Sequence, residues 1–325
     1  MTETGVLSSP SAALQGRGDR VAVLGGTGFI GRALCEAFTG AGYQVLAVAR
    51  NEPAEPLAGR FQRFDLSGGS AGELAALLRA EGVGTVVNAA GGMWGLTDEQ
   101  MVDANVGLVG RVVQALRGLE QPVRLVHLGT VHEYGLSPIG TVQGEGDQPR
   151  PQMVYGELKL AATRLVLDAV AEGGLDAVVL RVGNVVGPGQ PGHSLLGVMA
   201  RKLREADLAG ETATLTLAPL TARRDFVGLA DTVEAVLDAT RAEAPEVLVN
   251  VGRGEGVSAR EMVELLIEVS GVPTVVVEEP GPEGAGPETE WQCLDVALAA
   301  RSLGWVPRES PAAAVGALWK AEAGR

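Results

Sequence analysis

The sequence is poor in the residues that metal centres, disulfide frameworks and nucleic-acid surfaces require. Among 325 residues there are two cysteines and three histidines, and 26 basic side chains face 40 acidic ones, for a formal net charge of -14. Widely spaced Cys35 and Cys293 predict reduced thiols rather than a disulfide, and scattered histidines predict no metal site. A chain this acidic lacks the basic face that nucleic acid or an anionic membrane selects, so we expect neither as a partner.

Long apolar runs are also missing. No stretch reaches the length of a transmembrane helix, and residues 1–19 lack the hydrophobic core of a signal sequence, which predicts a disordered leader on a cytoplasmic protein. The 46% of hydrophobic residues nevertheless allow a sizeable core. This length suits one large domain with a smaller appended lobe.

Short apolar segments alternate with amphipathic ones along the first half of the chain. This alternation is typical of βαβ units and predicts a doubly wound, Rossmann-type parallel sheet in an α/β fold. Strands are predicted at 21–24, 45–48, 84–88, 124–128 and 176–181, and helices at 32–39, 71–79, 98–116 and 153–171. We expect a dinucleotide-type domain over 20–185, with a return at about 225–252, and a smaller α/β lobe formed mainly by 186–325.

A glycine-rich loop separates the first predicted strand from the first helix. Gly25, Gly28 and Gly31 have the spacing of a dinucleotide loop, in which one glycine turns the chain, one admits the pyrophosphate and one lets the helix pack on the strand. The intervening Thr27, Phe29 and Ile30 are predicted cofactor contacts. The alternative is a tight turn with a structural role only.

The end of the second predicted strand indicates which dinucleotide would bind. NAD enzymes place a carboxylate there for the ribose 2′-hydroxyl, but residues 47–51 contain none, and Arg50 offers a guanidinium suited to a 2′-phosphate. We therefore expect NADP(H), with a solvated loop arginine as the alternative. Asp65 is predicted either to accept a hydrogen bond from the adenine amino group or to initiate a turn.

Tyr155 and Lys159 form a YxxxK pair that shares one face of a predicted helix. The ammonium is expected to lower the pKa of the phenol, so that Tyr155 can give a proton to a carbonyl oxygen as hydride arrives from a nicotinamide. Thr130 follows the predicted strand 124–128, at the sheet edge where doubly wound folds bind ligands. Its hydroxyl is expected to hold the same substrate oxygen.

Together these motifs resemble the extended short-chain dehydrogenases/reductases of the NAD-dependent epimerase/dehydratase family. Within it, the sequence is most similar to 4-ketoreductases of dTDP-linked 4-keto-6-deoxyhexoses. The resemblance runs from about Val21 to the C-terminus and rests on GGTGFIG (25–31), NAAG (88–91), NVG (105–107), GTVHEYG (129–135), YGELK (155–159), LRVGNVVGPG (180–189), RDFV (224–227) and LGW (303–305).

The resemblance implies a role for each matching residue. Thr130, Tyr155 and Lys159 would be catalytic, with Lys159 also on the nicotinamide ribose. Asn184 and Arg224 would contact the diphosphate of a sugar nucleotide bound by the smaller lobe. The further cofactor contacts implied are Leu66, Asn88, Ala89, Ala90 and Asn105. A homodimer through the helices that carry Asn105 and Tyr155 is also implied.

Departures from the family pattern narrow the activity. Dehydratases carry two acids directly after the catalytic threonine, whereas this chain has Val131 and His132, so dehydration is disfavoured. Gly228 replaces a side chain usual in the family, which the sequence does not explain. His132 is expected to hydrogen-bond a sugar hydroxyl, with a loop histidine bonded to backbone as the alternative.

Two aromatic side chains complete the predicted substrate contacts. Trp94, with Met93, could wall off a deoxy-sugar methyl group or simply pack in the core, and His193 could reach the substrate from its loop. His127 is expected to be a satisfied core residue.

The first functional hypothesis is NADPH-dependent reduction of a keto group, at C4, on a nucleotide-linked 4-keto-6-deoxyhexose in deoxysugar biosynthesis. A sugar-nucleotide epimerase with tightly bound NAD is the second. A non-catalytic NADP-sensing or scaffold protein is the third.

Overall fold

A computed structural model gives the fold and describes residues 18–218, 220–243, 245–279 and 290–324. Of the predicted leader, 1–19, only the last two positions fall within these ranges; the rest lies outside the described residues. None of the helices in these ranges is long and apolar enough to cross a membrane.

Twelve strands are described. They are β1 (Arg20–Leu24), β2 (Gln44–Ala49), β3 (Arg60–Arg63), β4 (Thr85–Asn88), β5 (Arg124–Thr130), β6 (Asp176–Val182), β7 (Asn184–Val186), β8 (Ala213–Leu217), β9 (Arg223–Gly228), β10 (Leu248–Val251), β11 (Gly256–Ser258) and β12 (Thr274–Glu278).

Ten α-helices are described beside them. They are α1 (Phe29–Gly40), α2 (Ala71–Ala80), α3 (Asp98–Val102), α4 (Leu108–Arg117), α5 (Val154–Ala171), α6 (Leu195–Ala209), α7 (Leu229–Arg241), α8 (Ala259–Ser270), α9 (Ala297–Leu303) and α10 (Pro311–Ala323). A π-helical turn, Asp103–Gly107, joins α3 to α4, so the single helix predicted over 98–116 is interrupted.

Seven parallel strands form the large sheet, in the order β10-β6-β5-β4-β1-β2-β3. The order runs outward in both directions from β1, which places the ends of β1 and β4 at the crevice where doubly wound sheets bind ligands. The central strands are buried on both faces, with one core cluster against α1 and α7 and another against α2, α4 and α5. The structure confirms the predicted Rossmann-type fold.

The smaller lobe contains a three-stranded sheet, β11-β9-β7, and a parallel pair, β8 and β12. Its core packs α6, α8 and α10 against these strands through Leu203, Leu215, Met262 and Val315. Helix α8 begins at a capping box, where the Ser258 hydroxyl accepts from the Glu261 N–H at 3.0 Å.

Candidate active site

The glycine loop has the geometry of a phosphate cradle. Gly25 adopts a positive φ of 79° and its N–H donates to the Val48 carbonyl at 2.9 Å, which turns the chain from β1 towards α1. A Cβ at Gly31 would lie 2.1 Å from the Gly25 carbonyl oxygen, so only glycine lets the helix pack this closely. Helix α1 begins after Gly28 without a side-chain cap, which leaves its first-turn N–H groups able to bind an anion.

A cavity of about 600 Å³ opens beside this loop. Eight of the predicted contacts line it: Gly25, Thr27, Gly28, Arg50, Leu66, Ala89, Ala90 and Trp94. The glycine cradle and the uncapped helix fit the pyrophosphate of a dinucleotide, and the exposed guanidinium of Arg50 lies on the same cavity.

Four other predicted cofactor contacts lie around the cavity rather than on its wall. Asn88 is buried, where its amide oxygen accepts from the Ala90 N–H at 3.1 Å and so orders the loop after β4. Asp65 accepts from the Ser67 N–H at 3.0 Å, which is the predicted turn alternative. Phe29 lines a second cavity on the other side of the glycine loop, and Ile30 packs against the core.

Helix α5 is held against the end of β5 by three contacts spaced along one face. Gly156 packs on the backbone of His132, since a Cβ there would lie 2.4 Å from its carbonyl oxygen. The Lys159 ammonium donates to the Leu128 carbonyl at 2.5 Å, and the Thr163 hydroxyl donates to Glu133 at 3.0 Å. These contacts bring Tyr155 and Lys159 to the end of the strand that carries Thr130.

Glu133 holds the end of β5 in this arrangement through buried hydrogen bonds. Sequence reasoning missed this residue. It is fully buried; its carboxylate accepts from the Thr130 N–H at 2.9 Å and from the Arg181 guanidinium at 2.8 Å. Gly129 makes room for it, because a Cβ there would lie 2.5 Å from the carboxylate. The backbone of Thr130 is therefore fixed by a buried ion pair.

The pKa of Tyr155 differs from the expected one. Burial, and then the negative charge of Glu133, raise the pKa of Tyr155 to about 12, whereas the sequence predicted a lowered value. Burial lowers the pKa of Lys159, and Glu133 partly opposes that shift. The expectation was wrong for the chain by itself, because the Lys159 ammonium donates to the Leu128 carbonyl while the phenol is desolvated.

Asn105 lies in the π-helical turn between α3 and α4, a deformation that often marks functional positions. Its amide nitrogen donates to the Gly92 carbonyl at 2.6 Å and to the Met101 carbonyl at 2.8 Å. Its buried amide oxygen has no partner among the described residues and lies against Gly91. The turn thus presents an acceptor towards the loop that lines the cavity.

His127 is only partly satisfied, unlike the expected core residue. Its Nδ1 lies 3.0 Å from the Asn88 amide nitrogen, and its Nε2 has no hydrogen-bond partner within the described part of the chain. Because the Ala90 N–H fixes the Asn88 oxygen, the amide nitrogen must donate and His127 carries its proton on Nε2. Burial, and then the charge of Lys159, lower the pKa of His127.

One predicted substrate residue, His132, lies near Tyr155, and its surroundings include another, Arg224. The His132 ring lies 6.2 Å from the Tyr155 ring, and burial followed by the charge of Arg224 lowers the pKa of His132. No hydrogen bond to the His132 ring is found across the described ranges, so the backbone-bonded alternative is not seen. Arg224 forms an ion pair with Glu290, a residue that sequence reasoning missed.

The remaining predicted contacts come from the loops that flank this region. The rings of Trp94 and His193 lie 5.3 Å apart, so two loops that are distant in sequence meet. Trp94 is 62% exposed, which argues against the core-packing alternative. Asn184 donates from its amide to the Asp225 carbonyl at 3.2 Å, beside Arg224.

The structure explains Gly228. A Cβ at this position would lie 1.9 Å from a carboxylate oxygen of Glu309. That carboxylate accepts a hydrogen bond from the Ala230 N–H in the first turn of α7, while Asp231 accepts from the Glu309 N–H at 2.8 Å. Gly228 has no side chain to cap the N-terminus of α7, and Glu309 caps it instead from a segment that is distant in sequence.

Comparison with known proteins defines the class. The model of the NAD dependent epimerase/dehydratase family matches residues 21–252. The chain belongs to this family and is an oxidoreductase of the extended short-chain dehydrogenase/reductase type.

Several relatives are nucleotide-sugar enzymes by name. The chain is 60% identical over 303 residues to a dTDP-6-deoxy-L-talose 4-dehydrogenase (NAD(P)(+)) of Kitasatospora kifunensis, covering 93% of this chain and 95% of that one. It resembles the UDP-glucose 4-epimerase of Thermus thermophilus in complex with NAD, at 28% identity and a TM-score of 0.79, over 94% of this chain and 99% of that one. RMD from Pseudomonas aeruginosa, complexed with NADPH, shares the fold at 22% identity and a TM-score of 0.79, over 94% and 99% of the two chains.

Proposed function

We propose that the protein catalyses NADPH-dependent reduction of the C4 keto group of a dTDP-linked 4-keto-6-deoxyhexose. The observation that carries the proposal is the docking of α5 on the end of β5, which brings Tyr155 and Lys159 to the strand end that carries Thr130, at the same edge of the parallel sheet as the glycine loop. Arg50, exposed on the cavity beside that loop, supports NADP over NAD.

The chain's own groups have distinct tasks in this reaction. A reduced nicotinamide supplies hydride when bound. Tyr155, whose pKa of about 12 keeps it protonated at neutral pH, gives its phenolic proton to the keto oxygen. The Thr130 hydroxyl holds the same oxygen, and Glu133 fixes the backbone of Thr130. Lys159 holds the nicotinamide ribose and keeps a positive charge near the phenolate that forms.

The substrate side supports a nucleoside diphosphate sugar. Arg224 and the Asn184 amide are donors suited to phosphate oxygens. The free ring of His132 suits a sugar hydroxyl, and the Trp94–His193 ring pair offers further contacts from two loops. The relative at 60% identity acts, by its name, on a dTDP-6-deoxyhexose at C4, and supports both the nucleotide and the position. Its name describes oxidation, which is the reverse of the reaction proposed here.

The test is an NADPH-oxidation assay over a panel of dTDP-4-keto-6-deoxyhexoses with the Tyr155→Phe variant. We expect turnover to fall by about 10²–10⁴, because general-acid help of this kind is removed, while NADPH still binds. Tyr43→Phe is the matched control, since Tyr43 is 8% exposed and packs on Phe38 in the core. Near-normal turnover of Tyr155→Phe would end the proposal, and bound NAD without net NADPH consumption would favour the epimerase.

We also propose that the large sheet binds the dinucleotide, the smaller lobe binds the sugar nucleotide and the protein is a homodimer through the helices that carry Asn105 and Tyr155. Exposed apolar side chains on α3 and α5, at Val102, Val154 and Leu165, support that contact.

A further inference from the structure

Glu290 enters the substrate side of the site from a segment that is fixed in place by main-chain bonds. The Arg223 N–H donates to the Glu290 carbonyl at 2.7 Å, and the Gln292 N–H donates to the Arg223 carbonyl at 3.1 Å. On its other side the segment accepts from the Ser137 N–H through the Trp291 carbonyl at 3.0 Å. Glu290 therefore stays beside Arg224 whatever its side chain does.

The guanidinium of Arg224 is engaged at both terminal nitrogens. One donates to the Arg223 carbonyl at 3.2 Å, and the other pairs with the Glu290 carboxylate. The Arg224 side chain is 18% exposed and that of Glu290 is 53% exposed, so the carboxylate is the solvent-facing partner. Both charges act on His132, which in turn lies against Tyr155, so the pair belongs to the reaction site.

We propose that Glu290 is a competing carboxylate that occupies Arg224 until the substrate's diphosphate displaces it. The proposal rests on the proposed function, in which Arg224 binds that diphosphate. A carboxylate and a phosphate present the same kind of acceptor oxygen to a guanidinium, so they compete for one donor edge. A ligand without phosphate has no group that can displace the Glu290 carboxylate from Arg224. A diphosphate must compete with that carboxylate for the guanidinium and is also repelled by its negative charge.

The competition can be measured by titration calorimetry with dTDP and with thymidine as probes. Glu290→Gln keeps the shape of the side chain but removes its charge; because the position is half exposed, the fold is not at risk. We expect the Kd for dTDP to fall about two- to five-fold, in keeping with a partly exposed ion pair, and the Kd for thymidine to stay unchanged. In turnover, KM for the sugar nucleotide should fall by a larger factor than kcat changes.

Glu278→Gln is the matched control, because Glu278 ends β12 and pairs with Arg260 of α8 rather than with Arg224. An unchanged or higher Kd for dTDP in Glu290→Gln would overturn the proposal, since Glu290 would then leave Arg224 free or position it for the ligand. Arg224→Met should weaken dTDP; if it does not, both the diphosphate role of Arg224 and the role of Glu290 fail. Wild-type NADPH oxidation is scored separately, so failure of the proposed reduction is distinguishable from failure at Glu290.

Discussion

Replacing Glu133 by glutamine tests whether the buried ion pair of Glu133 and Arg181 stabilises the fold, and whether Glu133 sets the pKa of the general acid Tyr155. The carboxylate is fully buried and accepts from the Thr130 backbone, the Thr163 hydroxyl and the Arg181 guanidinium, whose exposure is 2%. Removing one partner of such a pair costs about 3–5 kcal/mol, because a charge is left buried without compensation. An amide oxygen still accepts from one donor, so we expect a loss of about 3 kcal/mol.

Differential scanning calorimetry measures this loss as a fall of about 6 °C in Tm, at roughly 2 °C per kcal/mol for a chain of this size. The control is Glu172→Gln, whose pair with Arg117 is exposed and should shift Tm by less than about 1 °C. Arg181→Met combined with Glu133→Leu should be less destabilised than the two single changes summed. A Tm for Glu133→Gln equal to that of the control would refute the reasoning.

The same variant has a second readout in the pH profile. The negative charge of Glu133 is the second cause, after burial, of the raised pKa of Tyr155. A nearby negative charge disfavours the phenolate, so its removal lowers the pKa of the phenol. The alkaline limb of kcat/KM, where Tyr155 loses its acidic proton, should therefore move to lower pH in Glu133→Gln and stay in place in Glu172→Gln.

Arg50→Ala should reduce the preference for NADPH over NADH in kcat/KM by about 10–100-fold, because it removes a hydrogen bond to a charged group. Arg79→Ala, at another exposed arginine, should leave that preference unchanged. An equal preference in both variants would count against a role of Arg50 in binding the 2′-phosphate. Gly228→Ala should displace the Glu309 carboxylate from the first turn of α7 and lower stability by about 1 kcal/mol, as should Glu309→Ala. Thermal unfolding of the double variant should be no worse than that of Glu309→Ala, and an additive loss would contradict a shared cap.

The large sheet could be predicted because its strands are buried on both faces. Runs such as Val21 to Leu24 are continuously apolar, and each is followed by a segment of helical periodicity. Among the strands that were not predicted, β7, β9, β11 and β12 differ from these runs. Three of them have three to six residues of mixed burial, so neither alternation nor a continuous apolar run marks them. Strand β12 has a short apolar run, Val275 to Val277, but these valines are exposed and lie outside the buried core that such a run usually indicates.

The residues of the candidate site likewise divide into those that local sequence spacing reveals and those that depend on long-range packing. Tyr155 and Lys159 are one helical turn apart, and the glycines of the loop are close in sequence, so local spacing was enough to find them. Glu290 lies 66 residues from Arg224, and the two meet only through backbone pairing between the smaller lobe's strands and the segment near the chain end. The π-helical turn at Asn105 likewise depends on packing, because helical periodicity alone predicts an unbroken helix.

The Glu309 side chain occupies the space beside Gly228, and this packing has an evolutionary consequence. Space vacated at the β9–α7 junction is filled from the segment before α10, so neither position is free to vary while the other keeps its present residue. A relative that restores a bulky residue at 228 should have lost the acid at 309. The two positions are therefore expected to co-vary. Together they would mark a sub-branch of the family in which a glutamate before α10 caps the first turn of α7.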